Sequence, residues 1–244
     1  MAGHNKWSQI KRKKAVTDAK RAKLYSRYLR EIQIAAKTGG GSPDGNPRLR
    51  TAIAAAKAMS VPNDNIDRAI KRGSGDGEVE IIEEITYEGY GPGGVAMMIK
   101  TITDNKNRTA ADVRHILSKC GGNLGGSVAF LFTEKGIISV PKNEISEEKL
   151  LELALEAGAD DVEEKEDTFE VSTDPKLVHT VSEALNLSRS EVSIRYIPAT
   201  SVTLSGEEAK LMVKLLDMLD DYDDVQEVIS NFEIDDSELE LLAV

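Results

Sequence analysis

Cysteine is almost absent: Cys120 is the single one among 244 residues. No internal disulfide can form, and a reducing compartment suits the chain. Long apolar runs are missing too, with nothing near the roughly 20 residues that cross a bilayer. The opening MAGHNKWSQIKRKK is basic and is not followed by the apolar stretch of a secretory signal. These absences predict a cytoplasmic protein with no membrane contact. Histidine is scarce as well. His4, His115 and His179 stand far apart without ligand spacing, which leaves zinc without a donor set. No serine elbow, paired metal carboxylates or activated lysine stands out, and Cys120 lacks a partnered histidine. The expectation is a non-enzymatic protein with no cofactor and no metal.

Positive charge is scarce after residue 75. Overall, 31 Lys and Arg face 42 Asp and Glu, a formal net charge of −11. Up to Gly75 there are 17 basic against 5 acidic residues, net +12; the remainder has 14 against 37, net −23. Such asymmetry predicts a polyanion-binding module carried on an acidic body that avoids polyanions. With 40% apolar and 30% charged residues, the composition is that of a globular protein of one to three domains.

The most informative stretch is 11–37, KRKKAVTDAKRAKLYSRYLREIQIAAK. At about 100° per residue, Leu24, Tyr25, Tyr28, Leu29, Ile32, Ala35 and Ala36 share one helix face. Lys20, Lys23, Arg27, Arg30 and Lys37 fall on the other. Thr17 suits the N-cap, and Gly39 to Gly41 end the helix. Asn46 before Pro47 caps a second helix carrying Leu49, Ile53 and Ala56. A third is predicted at 63–72, with Gly73 as its C′ residue. Residues 73–78, GSGDGE, read as a linker.

Beyond it, short β-rich runs alternate with helices. Strands are expected at 81–87, 95–103 and 127–132, with a helix at 108–120. Residues 136–197 read β-α-β-β-α-β, a split βαβ unit of ferredoxin-like type, in which Ser146 caps the first helix. The ββαβ before it and the βαβ after it make a second α/β sandwich into which the first is inserted; two consecutive domains with a short C-terminal appendage is the alternative left open. The expected fold class is α+β multidomain, with an all-α bundle at 1–75, a discontinuous α/β domain at 79–134 plus 200–244, and an inserted ferredoxin-like domain at 135–199.

Three local motifs are set aside. EGYGPGG, at 88–94, is glycine-rich, but a strand rather than a helix follows it, so it is a strand-joining loop and not a phosphate cradle. DNKNR, at 104–108, has Thr109 and His115 where a calcium loop needs Gly and Glu, so Asp104 or Asn105 instead forms the turn before a helix. SVAFLF, at 127–132, lacks the rest of an RNA-recognition pattern, and core packing is expected of Phe130 and Phe132.

The segments MAGHNKW, RLRTAI with its preceding GGGSPDGNP, PNDNIDRAIKRG, YEGYGPGG, TDNKNRTAADVRH and KCGGNLG together resemble the YebC/PmpR family of bacterial and organellar regulators, in register over essentially the whole chain. The resemblance implies an N-terminal helical domain followed by two α/β domains, and a non-enzymatic regulator of gene expression. Members are usually described as DNA-binding transcriptional regulators, others as translation factors acting at the ribosome. One departure is the shorter GGNLGGSV, where family members commonly have two more residues, so no contact by that loop is carried over. The expected function is binding of DNA, or alternatively of ribosomal RNA, through Lys11, Arg12, Lys13, Lys14, Lys20, Lys23, Arg27 and Arg30, with Arg48 and Arg50 as secondary contacts. A third reading is an adaptor whose acidic body takes a basic protein partner. The residues fix neither a target sequence nor an assembly state.

Overall fold

The structure is a computed structural model that describes residues 18–75, 82–235 and 237–238, the side chains of 18–21 excepted. Two compact units emerge, Met1–Ala129 with Thr200–Val244, and Phe130–Ala199. The expected cap Thr17 and most of the expected linker lie outside the described residues.

The first unit begins with three helices, α1 (Asp18–Gly39), α2 (Pro47–Ala58) and α3 (Asn63–Ser74). The apolar face expected of α1 is in place: Ile32, Ala35 and Ala36 are buried with Leu49, Ala56 and Ile66, and Tyr25, Tyr28 and Leu29 pack beside them. Asn46 joins two helices through one buried side chain. Its Oδ1 accepts from Leu49 N at 3.1 Å, which caps α2, while its Nδ2 donates to Ala35 O and Gly40 O, both at 2.8 Å, at the end of α1.

The end of α3 differs from expectation. The helix runs through Ser74, and Gly75, at φ 87°, is the left-handed cap. Gly73 has another reason to be glycine: a Cβ there would lie 2.3 Å from the Gln33 carbonyl oxygen and 2.8 Å from Ala36 Cβ. It permits close approach of α3 to α1.

An α/β layer follows in the same unit. It comprises β1 (Glu83–Tyr90), β2 (Ala96–Thr103), α4 (Lys106–Lys119) and β3 (Asn123–Leu124). The loop between β1 and β2 is a 3-10 turn at Pro92–Gly94. Asn105 caps α4 by accepting from Arg108 N at 3.1 Å. The chain returns after the second unit to add β8 (Val202–Thr203), α7 (Gly206–Asp220), β9 (Val225–Ser230) and β10 (Phe232–Glu233). The sheet order is β3-β1-β2-β9, antiparallel throughout, with Glu83 opposite Thr103 and Met97 opposite Ser230. Strand β2 is covered on both faces. Met97 and Ile99 sit under α4 and α7, and Ile102 meets Ile34 of α1.

The second unit contains β4 (Phe132–Pro141), α5 (Glu147–Glu156), β5 (Asp161–Glu164), β6 (Thr168–Thr173), α6 (Val178–Leu185) and β7 (Glu191–Pro198). Its antiparallel sheet has the order β5-β6-β4-β7. The alternating inward residues Ile138, Val140, Phe169 and Val171 pack with Leu150 and Val181 of its helices. In both sheets a helical crossover links two parallel strands with a third between them, β2 and β3 around β1 and β4 and β5 around β6. Ser146 stands at the N-cap of α5 but makes no cap hydrogen bond.

The strand expected at 127–132 is replaced. Residues Ala129–Leu131 form a 3-10 turn, and the strand beside β1 is Asn123–Leu124. Glu88 fixes this departure, its Oε2 accepting from Val128 N at 2.5 Å and Ala129 N at 2.9 Å. The core packing expected of the two aromatics therefore holds for buried Phe132 and fails for Phe130, which is 76% exposed.

Candidate nucleic-acid interface

Residues Lys23, Arg27, Arg30, Ile34 and Lys37 recur at steps of four and three along α1, one stripe of a helix. The stripe is built for contact with protein. Ile34, 3% exposed, is buried with Ile82 and Ile102. Around it the cations are engaged one by one. Lys37 Nζ donates to Ile82 O at 2.7 Å. Arg30 Nη1 reaches Asp224 Oδ1 at 2.7 Å and Asp223 O at 2.8 Å. Arg27 meets Asp220 Oδ1 at 3.3 Å and also the Asp220 carbonyl. Lys23 lies 3.4 Å from the Asp223 carboxylate and donates to Asp221 O. The acidic run Asp220, Asp221, Tyr222, Asp223, Asp224 joins α7 to β9, and pairing of β9 with β2 holds it beside α1.

Asp224 is the hub of this contact and is 3% exposed. Besides Arg30, it accepts from Thr109 Oγ1 at 2.7 Å, Arg108 Nη2 at 3.0 Å and Thr103 Oγ1 at 3.2 Å. Burial pushes its carboxyl up, but the hydrogen bonds from Thr109, Arg108 and Arg30 and the charge of Arg30 outweigh that and hold it below the usual carboxylate value. Arg108 is raised in turn, first by Asp224 and then by Asp104. The Tyr222 hydroxyl lies 2.8 Å from Asp112, and burial, then that contact, pushes it up to about 12. One carboxylate thus ties α1, α4 and the end of β2 together.

Arg48 is held by two carboxylates. Its Nε donates to Glu31 Oε1 at 2.8 Å, and its two terminal nitrogens meet the Glu84 oxygens at 3.0 Å each, a forked geometry suited to guanidinium. Glu31 is the main cause of its raised pKa. Arg50 donates to Pro43 O at 2.8 Å and Asp44 O at 2.9 Å, closing the loop before α2.

These contacts show where four of the expected binding residues lie. Lys23, Arg27, Arg30 and Arg48 are ion-paired within the chain, the first three because residues about 190 positions later fold back against α1, and Arg48 through the nearer Glu31 and Glu84. Lys11, Arg12, Lys13 and Lys14 lie outside the described residues, as does the side chain of Lys20. Sequence reasoning missed the acidic run and the hub Asp224. Two signals pointed to them: an isoleucine inside an otherwise basic stripe, and four aspartates at a helix end.

Cys120 is buried, and burial pushes its thiol up, which opposes the thiolate a nucleophile needs. Among the described residues no group of three or more His, Cys, Asp or Glu is placed to hold a metal ion. Among the same residues no helix is long and apolar enough to cross a membrane.

Comparison with known proteins places these features in a family. The pattern described as "TACO1/YebC protein N-terminal domain" matches residues 5–76, and that described as "TACO1/YebC second and third domain" matches 82–232. A chain of Desulfosudis oleivorans named "Probable transcriptional regulatory protein" is 52% identical over 242 residues, 97% of this chain and 98% of that one. One of the same name from Carboxydothermus hydrogenoformans is 50% identical over 244 residues, covering 97% and 100%. A crystal structure of a conserved hypothetical protein from Aquifex aeolicus superposes with a TM-score of 0.75 at 48% identity, over 90% of this chain and 93% of that one. Matched along nearly its whole length by both family patterns and by relatives at about half identity, the chain belongs to the TACO1/YebC family.

Proposed function

We propose that this protein is a regulator of gene expression that binds polynucleotide, DNA first, through the basic segment running into α1. The observation that carries the reading is the front-loaded charge, net +12 up to Gly75 against net −23 beyond it, in a chain whose full-length relatives are named as transcriptional regulators. Internal pairing accounts for Lys23, Arg27, Arg30 and Arg48. The phosphate contacts are therefore assigned to Lys11, Arg12, Lys13, Lys14 and Lys20, with Arg50 as a weaker one. The four paired residues instead hold α1 against the acidic run. The role is binding rather than turnover, which agrees with the buried, raised Cys120 thiol.

Phosphate contacts position a protein without reading sequence. Affinity is accordingly expected to depend strongly on salt, each phosphate contact contributing about 0.7 to 0.9 to the slope of log affinity against log salt. Replacing Lys11, Arg12, Lys13 and Lys14 by alanine should flatten that slope by about 3; an unchanged slope and affinity would refute the assignment. Ribosomal RNA is the second reading, because no base-reading element is recognisable among the described residues. Co-sedimentation with ribosomes that survives DNase favours it over DNA.

For the architecture we propose three domains, at 1–75, at 79–134 plus 200–244, and at 135–199, the two α/β ones of ferredoxin-like type. The shared split crossover and the strand orders β3-β1-β2-β9 and β5-β6-β4-β7 support this reading.

A further inference from the structure

A groove of about 360 Å³ lies between helices α1 and α3, at the edge of α1's apolar face. From α1 it takes Leu29, Arg30 and Gln33; from α3 it takes Asn65, Arg68 and Arg72. Both sets follow helical spacing, so each helix presents a continuous stripe to the other. Gly73 fixes how near the two stripes come, since it leaves no Cβ against the Gln33 carbonyl.

The charges in this groove do not cancel. Arg30 is paired with Asp224, and Asp223, the one carboxylate in the lining, is paired with Lys23 at 3.4 Å. Arg68 donates to neutral acceptors only, the Asp64 carbonyl at 3.2 Å and the Asn65 side chain. Arg72 forms no ion pair with any described residue. Two guanidinium groups on one helix face thus keep their full charge beside the groove. Gln33 adds a third feature. It is 5% exposed, and its Nε2 is a buried donor with no acceptor, a rare condition in a folded chain. Gln33 is itself part of the groove lining, and its terminal torsion is soft.

A pair of forked cations beside an unsatisfied amide donor suits a compact oxyanion with several acceptor oxygens, and guanidinium matches phosphate in particular. We propose that this groove binds a backbone phosphate of the polynucleotide, held by Arg68, Arg72 and Gln33. The inference rests on the polynucleotide reading above and extends it to a second contact. Continuity favours a chain phosphate over a free one. Arg30 and Gln33 lie on the same helix as Lys20, and Ser26, at the near end of the groove, is six residues from Lys20, about 9 Å along the axis. A strand spans that in about three nucleotides at 3.4 Å each.

The test uses the full chain, a labelled single strand and a labelled duplex, titrated across salt concentrations. Arg68→Ala with Arg72→Ala should weaken binding and flatten the salt slope by about 1.4 to 1.8, whereas Arg68→Lys with Arg72→Lys should largely restore the slope. Both arginines are exposed, so neither pair should unfold the chain, which circular dichroism verifies. In parallel, the Gln33 side-chain amide resonance is followed during titration with inorganic phosphate and with the oligonucleotide. Loss in the alanine pair, rescue by lysine and a Gln33 shift with oligonucleotide support the groove. Unchanged binding in the alanine pair, while the Lys11 to Lys14 variant loses it, overturns the groove and leaves the broader reading standing. If the wild type binds neither oligonucleotide, the broader reading fails. A Gln33 shift with inorganic phosphate then makes free phosphate the ligand and overturns the polynucleotide assignment, and no shift removes the groove as an anion site.

Discussion

Two cationic flanks of the helical bundle carry the same kind of residue to opposite ends. On one, Lys23, Arg27 and Arg30 meet Asp220 to Asp224 and their charge is consumed inside the fold. On the other, Arg68 and Arg72 of α3 line a groove whose single carboxylate is engaged elsewhere. Clustered cations therefore say little about a binding face until the carboxylates that fold beside them are known. Sequence position separates the flanks poorly, because the partners of the first lie nearly 200 residues away.

The paired flank breaks most readily at its hub. Asp224→Asn leaves Arg30 and Arg108 without their shared carboxylate and should cost about 3 kcal/mol, somewhat less where those arginines keep contact with water. Urea unfolding measures it. The pH dependence follows from the lowered carboxyl of Asp224. As pH falls, the unfolded chain takes up this proton first. The stabilisation is complete above the ordinary value of 3.8 and is lost as pH drops through the lower folded value. Asp224→Asn should flatten that part of the acid limb, and a parallel limb in the variant would show that the hub carries no such linkage.

The other flank is tested by spacing rather than charge. Gly73→Ala places a methyl group 2.3 Å from the Gln33 carbonyl, so α1 and α3 must move apart, at about 2 kcal/mol. Thermal unfolding should show the loss, and a wild-type midpoint would mean that the helices are not held so close. The smallest effect is expected of the half-exposed Arg48 and Glu84. A double-mutant cycle should give under about 1 kcal/mol, falling further in high salt as screening sets in.

Much of this architecture is legible in the residues. Asn46 with Pro47 announced α2, and the apolar spacing of α1 announced its packing face. Alternation in 136–197 announced the strands of the second unit. The errors are tertiary. Gly73 has the look of a helix stop but serves close packing, because the demand for a missing Cβ comes from Gln33 on another helix. Residues 127–132 have strand-like composition, yet Glu88 draws their backbone into a turn. The basic stripe has the look of a polyanion face because periodicity reports which residues share a side, not what meets that side. Ile34 was the local sign, and its meaning depended on Ile82 and Ile102.

The central claim is that the stripe on α1 docks the chain to itself and does not grip phosphate. Salt-dependent polynucleotide binding by Lys23→Ala with Arg27→Ala, compared with the variant lacking Lys11, Arg12, Lys13 and Lys14, tests it directly. The account predicts that the first variant keeps the wild-type affinity and slope while losing stability, and that the second loses both affinity and slope. A slope that flattens by about 1.4 to 1.8 in the first variant, with its stability unchanged, would contradict it.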